Sequence, residues 1–162
     1  LEDIKVLGRS ELVDNKLDLK IMIDYAHTPD SLENILKTAK QYTIGRVISV
    51  FGCGGDRDKI KRPIMGEISG DIADFTIITS DNPRTENPMD IINEILPGVS
   101  GEHVVIENRR EAIEYAVKNA KKDDVIILAG KGHEDYQIIG KEKTHFDEVE
   151  ILMELKAQLG GK

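Results

Sequence analysis

The sequence lacks most features that mark secreted or membrane-spanning chains. Cys53 is the only cysteine among 162 residues, so no disulfide can form within the chain, which favours a reducing compartment and predicts a cytoplasmic location. No apolar run approaches the roughly 20 residues that a membrane-crossing helix needs, so we expect no membrane partner. The chain begins with Leu1 rather than Met, which suggests a piece of a longer protein.

Positive charge is also scarce, since 30 Asp and Glu residues outnumber 22 Lys and Arg residues and the formal net charge is −8. This balance disfavours nonspecific binding to nucleic acid or to anionic membranes, although it leaves room for a small local anion site. Hydrophobic residues make up 40% and charged residues 32%, as in a globular chain rather than a disordered one. We therefore expect a single domain over residues 1–162.

Short apolar runs alternate with helical patterns along the chain. Several runs are nearly continuous, as expected of strands that are covered on both faces. Strands are predicted at 17–23, 47–51, 75–79, 104–106 and 125–128, and a hairpin at 136–145. Strands that alternate with helices predict an α/β fold, a Rossmann-like, mostly parallel sheet with helices on both faces.

Four helices are predicted between these strands, each with an apolar stripe that should face the sheet. The stripes are Leu32, Ile35, Leu36 and Ala39; Ile60, Ile64 and Ile68, with Met65 beside them; Ala112, Ile113, Ala116 and Val117; and Leu152, Leu155 and Leu159. Capping residues support three of the four: Thr28 before Pro29, Asn108 with Glu111, and Asp147 with Glu150.

Glycines and charged residues follow four of the predicted strands directly. Ligands collect at the carboxyl ends of strands in such sheets, so these four segments are predicted to share one cleft. They are Asp24-Tyr25-Ala26-His27-Thr28-Pro29, Gly52-Cys53-Gly54-Gly55-Asp56-Arg57-Asp58-Lys59, Asp81-Asn82-Pro83-Arg84 and Gly130-Lys131-Gly132-His133-Glu134.

Each segment also has a purely structural interpretation. The glycines of 52–59 are compatible with a simple turn, because their spacing matches neither a Walker loop nor a dinucleotide fingerprint. The charged run 56–62 is typical of a solvated helix start. Cys53 is more typical of packing than of a nucleophile, since no base can be identified for it. His27 and His133 have no cysteine or second histidine at ligand spacing, so no metal site is expected.

Together and in order, the four segments resemble the motifs of the Mur ligase family, and the resemblance covers almost the whole chain. Gly8-Arg9-Ser10-Glu11 resembles the short segment that opens the last domain of these enzymes. The resemblance implies ATP-dependent amide formation in peptidoglycan synthesis by an enzyme of three domains. It places Mg²⁺ and most of the ATP site in a central domain, and the uridine nucleotide in the first.

Only the third domain is expected in this chain, because the sequence contains no Gly-x-x-x-x-Gly-Lys-Ser/Thr segment. The resemblance therefore implies a domain that binds the incoming amino acid and completes the ATP site on closure. We expect this chain to be inactive by itself.

Asp81-Asn82-Pro83-Arg84 resembles the form of the motif carried by family members that add meso-diaminopimelate to UDP-MurNAc-L-Ala-D-Glu. Arginine matches a carboxylate with two parallel hydrogen bonds, and glutamate suits an ammonium group. Whether Lys131 and His133 contact substrate or only shape their loop stays open. The resemblance implies a diaminopimelate site at Arg57, Asp81, Asn82, Pro83, Arg84, Gly130 and Glu134, and an ATP side at Arg9, Asp24 and His27.

Two other functions remain open. A ligase like folylpolyglutamate synthetase would share the fold and the ATP-side residues, but is not expected to carry both 81–84 and 130–134. A stand-alone binding or regulatory module is the other, since the sequence does not show what precedes Leu1. For Arg84, the structural alternative is a surface arginine paired with a nearby acid such as Glu86.

Overall fold

The computed structural model describes residues 4–7, 10–13, 19–132 and 134–160. Its elements are, in order, β1 (Ile4–Leu7), β2 (Ser10–Val13), β3 (Lys20–Asp24), α1 (Pro29–Tyr42), β4 (Val47–Phe51), α2 (Lys61–Ile72), β5 (Phe75–Ile78), α3 (Pro88–Ile95), a 3-10 turn (Leu96–Gly98), β6 (His103–Val105), α4 (Arg109–Asn119), β7 (Val125–Ala129), β8 (Tyr136–Ile139), β9 (Glu142–His145) and α5 (Glu148–Gly160).

The main sheet has the strand order β1-β2-β3-β7-β4-β5-β6. Strands β3, β7, β4, β5 and β6 run parallel, whereas β1 and β2 extend the β3 edge in antiparallel fashion. Strands β8 and β9 form the predicted hairpin as a separate pair. The α/β fold is confirmed, and the four strands that lead into polar segments are neighbours in the order β3-β7-β4-β5.

Helices cover both faces of the parallel sheet. Alternate residues of one strand point to opposite faces, so Val50 packs beneath α4 and α5 whereas Phe51 packs beneath α1, α2 and α3. Both side chains are 0% exposed. Burying one such side chain contributes about 1.5–3 kcal/mol, and the nearly continuous apolar strands follow from this burial on both faces.

Local signals place most helices correctly. The side chain of Thr28 accepts a hydrogen bond from Ser31 N and caps α1, and Asn108 caps α4 through Glu111 N. The predicted stripes of α1 and α4 are buried, as are Leu152 and Leu155 in α5. The side chain of Leu159 lies outside the described residues.

The predicted stripe of α2 is wrong at its first two positions. Ile60 and Ile64 are 75% and 42% exposed, whereas Arg62 and Met65 are buried. The helix turns small residues inward instead, and a methyl group on Gly66 would lie 2.4 Å from Ile95 O. This close backbone approach leaves no room for a side chain at Gly66, whereas Ile68 of the predicted stripe is half-buried and packs against the core.

Helix α3 is missing from the sequence prediction, since eight residues are too few for a clear helical period. Its signals are local, because Asn87 accepts a hydrogen bond from Met89 N and Pro88 occupies the first turn. Strands β1 and β2 were also not predicted. Within the described residues, no helix has both the length and the apolar character needed to cross a membrane.

Candidate functional site

The four polar segments meet at the carboxyl edge of the parallel sheet. Gly55 N donates to Asn82 O at 2.8 Å and joins the loops that follow β4 and β5. Lys131 Nζ donates to Asn82 Oδ1 at 2.8 Å and joins the segment after β7 to the same loop. Gly130 N donates to Asp24 O at 2.9 Å, which ties that segment to the end of β3. One cleft therefore collects all four segments.

The loop after β4 approaches the loop after β5 too closely for any side chain. A methyl group on Gly52 would lie 2.1 Å from Thr79 O, and one on Gly55 would lie 1.8 Å from Pro83 O. Both neighbours are backbone atoms, which cannot swing aside as a flexible side chain can. These glycines are needed for close approach, which a simple turn would not require.

Backbone contacts on both sides hold Arg84. Its φ is 52°, a left-handed conformation that costs a non-glycine residue roughly 1–2 kcal/mol. Two hydrogen bonds to the hairpin offset this strain, from Arg84 N to Ile138 O at 3.0 Å and from Gly140 N to Arg84 O at 2.6 Å. The side chain is also held, because Nη1 donates to Gly55 O at 3.0 Å.

The Arg84 guanidinium forms no ion pair with a carboxylate of any described residue. Glu86, the acid considered as its partner, instead accepts from Arg62 Nη2 at 2.8 Å and lies 3.9 Å from Lys59 Nζ. The structural alternative for Arg84 is therefore wrong within the described part of the chain. A half-buried arginine with no ion-pair partner among the described carboxylates is a ready-made anion-binding group.

Arg57 stands beside Arg84 in the cleft. A methyl group on Gly54 would lie 2.8 Å from Arg84 Nη1 and 3.7 Å from Arg57 Cγ, so both side chains border one point. Arg57 itself is exposed, and its Nη1 donates to the carbonyl oxygen of Asp56 at 2.9 Å. The two arginines give this end of the cleft a positive character.

Lys131 lies inside the protein beneath the loop that follows β5. Its side chain is 0% exposed, and Nζ donates to Tyr136 O at 2.9 Å as well as to Asn82. Asp81 Oδ1 lies 3.2 Å from Nζ and forms an ion pair without a well-formed hydrogen bond. Burial lowers the pKa of Lys131, and the Asp81 carboxylate partly opposes that effect. This placement favours loop shaping for Lys131; His133 lies outside the described residues.

Asn82 also faces inward, because its Oδ1 accepts from Lys131 Nζ and from Ile138 N at 3.0 Å. The other predicted residues of this part border the cleft. A methyl group on Gly130 would lie 3.7 Å from Asp81 Oδ2. Pro83 is buried beneath the glycine loop.

Glu134 brings negative charge to the same group of segments. Its Oε2 accepts a hydrogen bond from Tyr136 Oη at 3.4 Å, and its Oε1 lies 3.8 Å from Lys131 Nζ. The Glu134 carboxylate raises the pKa of Tyr136, and burial adds to that effect. A half-buried carboxylate in the same group of segments as two arginines matches a ligand that carries both charges.

Sequence reasoning missed Arg109, a fully buried arginine behind the cleft. Its Nε donates to Glu148 Oε2 at 2.7 Å, Nη1 to Ser80 O at 3.3 Å and Nη2 to Ala129 O at 2.9 Å. Burial is the largest effect and by itself would lower the pKa of Arg109, but the carboxylates of Glu148, Asp81 and Glu134 together outweigh it, so the pKa is raised and the guanidinium stays charged. No local signal reveals this role, because Arg109 directly follows the helix cap Asn108, where charged residues are usually solvated.

Arg62 corrects the interpretation of the charged run. Residues 56–59 are exposed as expected of a solvated helix start, but the Arg62 side chain is 0% exposed. It donates to Gly54 O at 3.0 Å and to both oxygens of Glu86, with Glu94 at 3.2 Å. The hydrogen bonds from Arg62 are the main reason that the pKa of Glu86 falls to about 2.

The predicted ATP-side residues lie at the end of β3. Asp24 is 8% exposed, and its Oδ1 accepts from Ala26 N at 2.7 Å. His27 is exposed, and its carbonyl oxygen accepts from Lys61 Nζ at 3.0 Å. Arg9 lies outside the described residues.

Neither a nucleophilic thiol nor a metal site is apparent in this part of the molecule. Cys53 is 3% exposed, and burial raises its pKa to about 12, so its thiol is protonated and packs in the core. Among the described residues, no group of three or more His, Cys, Asp and Glu side chains is placed to hold a metal ion.

Known proteins resemble this chain over most of its length. The family model described as "Mur ligase, glutamate ligase domain" matches residues 8–132. UDP-N-acetylmuramoyl-L-alanyl-D-glutamate–2,6-diaminopimelate ligase 1 of Clostridium acetobutylicum is 57% identical over 157 residues, which cover 95% of this chain and 33% of that protein. The ligase of the same name, without the numeral, from Caldanaerobacter subterraneus subsp. tengcongensis is 58% identical over 161 residues, covering 98% and 33%.

A solved structure of a UDP-N-acetylmuramoyl-L-alanyl-D-glutamate–2,6-diaminopimelate ligase has the same fold over this region. It is similar with a TM-score of 0.88 at 41% identity, covering 96% of this chain and 32% of that chain. The chain thus spans about a third of the length of the curated relatives that it matches, since each is covered to 33%.

Proposed function

The chain belongs to the Mur ligase family as its glutamate ligase domain, and from this premise we propose that it binds the incoming amino acid in an ATP-dependent ligase of peptidoglycan synthesis. The complete enzyme joins meso-diaminopimelate to UDP-MurNAc-L-Ala-D-Glu, the two substrates that appear in the names of its relatives. A cytoplasmic location belongs to the same proposal, because the single cysteine is a buried thiol.

The proposed reaction has two steps. A carboxylate of the nucleotide peptide attacks the γ-phosphorus of ATP, releasing ADP and forming an acyl phosphate. The amine of diaminopimelate attacks the acyl carbon and loses a proton, the amide bond forms, and phosphate leaves. Catalysis in such steps depends largely on positioning and on charge stabilisation.

This chain contributes the site for the amine nucleophile. Arg84 and Arg57 bind its acidic groups, and Glu134 binds an ammonium group. When the domains close, Asp24 and His27, together with Arg9, face the nucleotide. Exposure of the His27 ring supports that orientation. Magnesium belongs to the central domain of the complete enzyme.

The observation that carries the proposal is the charge of Arg84, which no described carboxylate neutralises in the cleft. Diaminopimelate differs from lysine by one carboxylate at the far end of the side chain. A fixed, half-buried guanidinium recognises that carboxylate, and lysine leaves the cation without its partner. Sites that hydrogen-bond a substrate group reject analogues lacking it strongly.

The other candidate functions have less support. A ligase like folylpolyglutamate synthetase is not expected to carry Arg84 together with Glu134. In addition, the relatives at 57% and 58% identity are named for diaminopimelate. A stand-alone binding module has no support from these relatives, which are named as ligases.

The test compares kcat/KM for diaminopimelate and for lysine in the complete enzyme and in its Arg84→Ala variant. Hydrogen bonds to charged groups contribute about 1.5–3 kcal/mol each, so the preference for diaminopimelate should fall at least about tenfold. Arg110→Ala is the matched control, since Arg110 pairs with Glu154 away from the cleft.

An unchanged preference in Arg84→Ala would show that Arg84 does not read the distal carboxylate. A second experiment measures phosphate release by the chain alone. We expect no activity, because the phosphate loop is not in its sequence. Turnover by the chain alone at about 1 per second or faster, as is ordinary for enzymes, would contradict this assignment of domains.

A further inference from the structure

We propose that the buried ion pair of Arg109 and Glu148 positions the two loops that bind the amino acid, by fixing the separation of the strand ends from which those loops leave. The inference rests on the proposed function, because it assigns positioning residues to the same site. Both side chains are 0% exposed, and we assign them no direct contact with substrate, so both act through the backbone that they hold.

The contacts of Arg109 are placed at the roots of both loops. Nη1 donates to the carbonyl oxygen of Ser80, directly before Asp81, at 3.3 Å. Nη2 donates to the carbonyl oxygen of Ala129, directly before Gly130, at 2.9 Å. One planar guanidinium therefore bridges the points at which the two substrate loops begin.

The sheet itself does not join these two points. Strand β4 lies between β7 and β5, so no ladder hydrogen bond connects the strand that ends at Ala129 to the strand that leads to Ser80. Without a direct link, the twist of the sheet and the packing of the loops would set the distance between Ala129 and Ser80. The planar guanidinium of Arg109, which we call the fork, spans both carbonyl groups and fixes that spacing directly.

Glu148 orients the fork. It lies at the start of α5, and its Oε2 accepts from Arg109 Nε at 2.7 Å, so three contacts fix the plane of the guanidinium. Both side chains are 0% exposed. Arginine can make all three contacts at once, because it keeps its charge and donates hydrogen bonds from all three nitrogens.

The pair is poorly explained by stability alone. Glu148 Oε1 is buried and has no hydrogen-bond partner among the described residues. Desolvating two charges costs about as much as their attraction returns, and buried pairs can often be replaced by apolar residues without loss of stability. A buried pair with one unsatisfied oxygen is therefore better explained by the geometry that it imposes on the loops.

The geometry matters because the proposed substrate bridges both loops. Asp81 and Arg84 follow one root, and Gly130 and Glu134 follow the other. A misplacement of 1 Å between binding groups can reduce the rate by about a hundredfold. Loss of the fork should therefore weaken amino-acid binding far more than it weakens ATP binding, whose candidate residues lie at the end of β3.

The test uses Arg109→Met with Glu148→Met in the complete enzyme, so that neither charge is left buried alone and the volume is largely kept. We expect KM for diaminopimelate to rise about tenfold or more while KM for ATP changes by less than about twofold. At saturating diaminopimelate, kcat should change less than KM. The melting temperature should remain close to that of the wild type.

Arg46→Met is the matched control at the other end of the same sheet. Arg46 precedes β4, and its Nη2 lies 3.0 Å from Asp124 Oδ2 directly before β7, so the control also breaks an ion pair between strands. It should lower stability and leave both KM values unchanged. An equal rise of the diaminopimelate KM in this control would show that general loosening, rather than the fork, sets the loop positions.

The outcomes separate this inference from the proposed function. If the wild-type enzyme does not use diaminopimelate, the proposed function fails. If it does, and the double variant keeps the wild-type KM for diaminopimelate, the positioning role is overturned. Should the double variant be insoluble, Arg109→Lys decides, because one ammonium group cannot serve Glu148 and both carbonyl groups in the same plane. A wild-type KM in that variant would also overturn the inference.

Discussion

The two arginines proposed to meet the substrate stand in loops of opposite construction. The loop of Arg84 is tied to the hairpin by two backbone hydrogen bonds and rests on the buried Lys131. The loop of Arg57 is exposed over residues 56–59, and the Arg57 guanidinium donates to the carbonyl oxygen of its neighbour Asp56. One cation is therefore fixed before any ligand arrives, whereas the other has little to hold it.

This difference suggests a division of labour within one cleft. A side chain that is already in place loses less conformational freedom on binding, which favours its use in discrimination between similar substrates. An exposed side chain loses more on binding, about 0.5–1.5 kcal/mol, but it can adapt when domains close. Arg84 suits the first task and Arg57 suits the second.

The largest expected effect concerns the support beneath Arg84. Lys131→Met should lower the free energy of unfolding by about 3–5 kcal/mol, because it leaves the Asp81 carboxylate without its cation and Asn82 Oδ1 without one donor. Urea unfolding measures the loss. Lys143→Met is the control, since Lys143 is exposed and lies 4.5 Å from the ring centroid of Tyr136. A loss below about 1 kcal/mol in Lys131→Met would remove the contrast between the two loops.

A smaller effect concerns Glu86, one of two carboxylates that tie the exposed loop to its neighbour; the other is Asp56, which accepts from Thr85 Oγ1. Glu86 Oε2 accepts from Asp56 N at 2.6 Å and from Arg62, and the pKa of Glu86 is lowered to about 2. A lowered pKa means that the folded state favours the carboxylate. Its stabilisation is complete above the ordinary pKa of 4.5 and is lost as the pH falls towards 2.

The loss should amount to roughly 2 kcal/mol for this partly exposed group. Unfolding free energies of the wild type and of Glu86→Gln should therefore differ most at neutral pH and converge as the pH approaches 2. A difference that stays constant between these limits would show that Glu86 does not anchor the loop by its charge.

The smallest effect on stability is expected for Arg57. Arg57→Ala should change the free energy of unfolding by less than about 0.5 kcal/mol, as is usual for exposed side chains. In the complete enzyme it should nevertheless raise KM for diaminopimelate. Arg84→Ala, measured in parallel, should change both the free energy of unfolding and KM for diaminopimelate. A loss of stability in Arg57→Ala as large as that in Arg84→Ala would erase the distinction between the two arginines.

Much of the fold was open to prediction because its signals are local. Apolar runs define β4 at Val47–Phe51 as predicted, and capping residues place the starts of α1, α4 and α5. Convergence of the four polar segments followed from one rule about parallel strands, and the contacts between those segments confirm it. The roles of the individual residues in binding stay predictions.

The sequence by itself determined the parallel strands, the hairpin and the edge at which the charged segments meet, because the apolar patterns and the helix caps that define them lie in neighbouring residues. Only the tertiary structure decided which charges lie inside. Arg109 and Glu148 are 39 positions apart, and Arg62 and Glu86 are 24 apart. A charged side chain is buried only when a distant partner and backbone carbonyl groups compensate its lost hydration, and no local pattern records where such partners will lie.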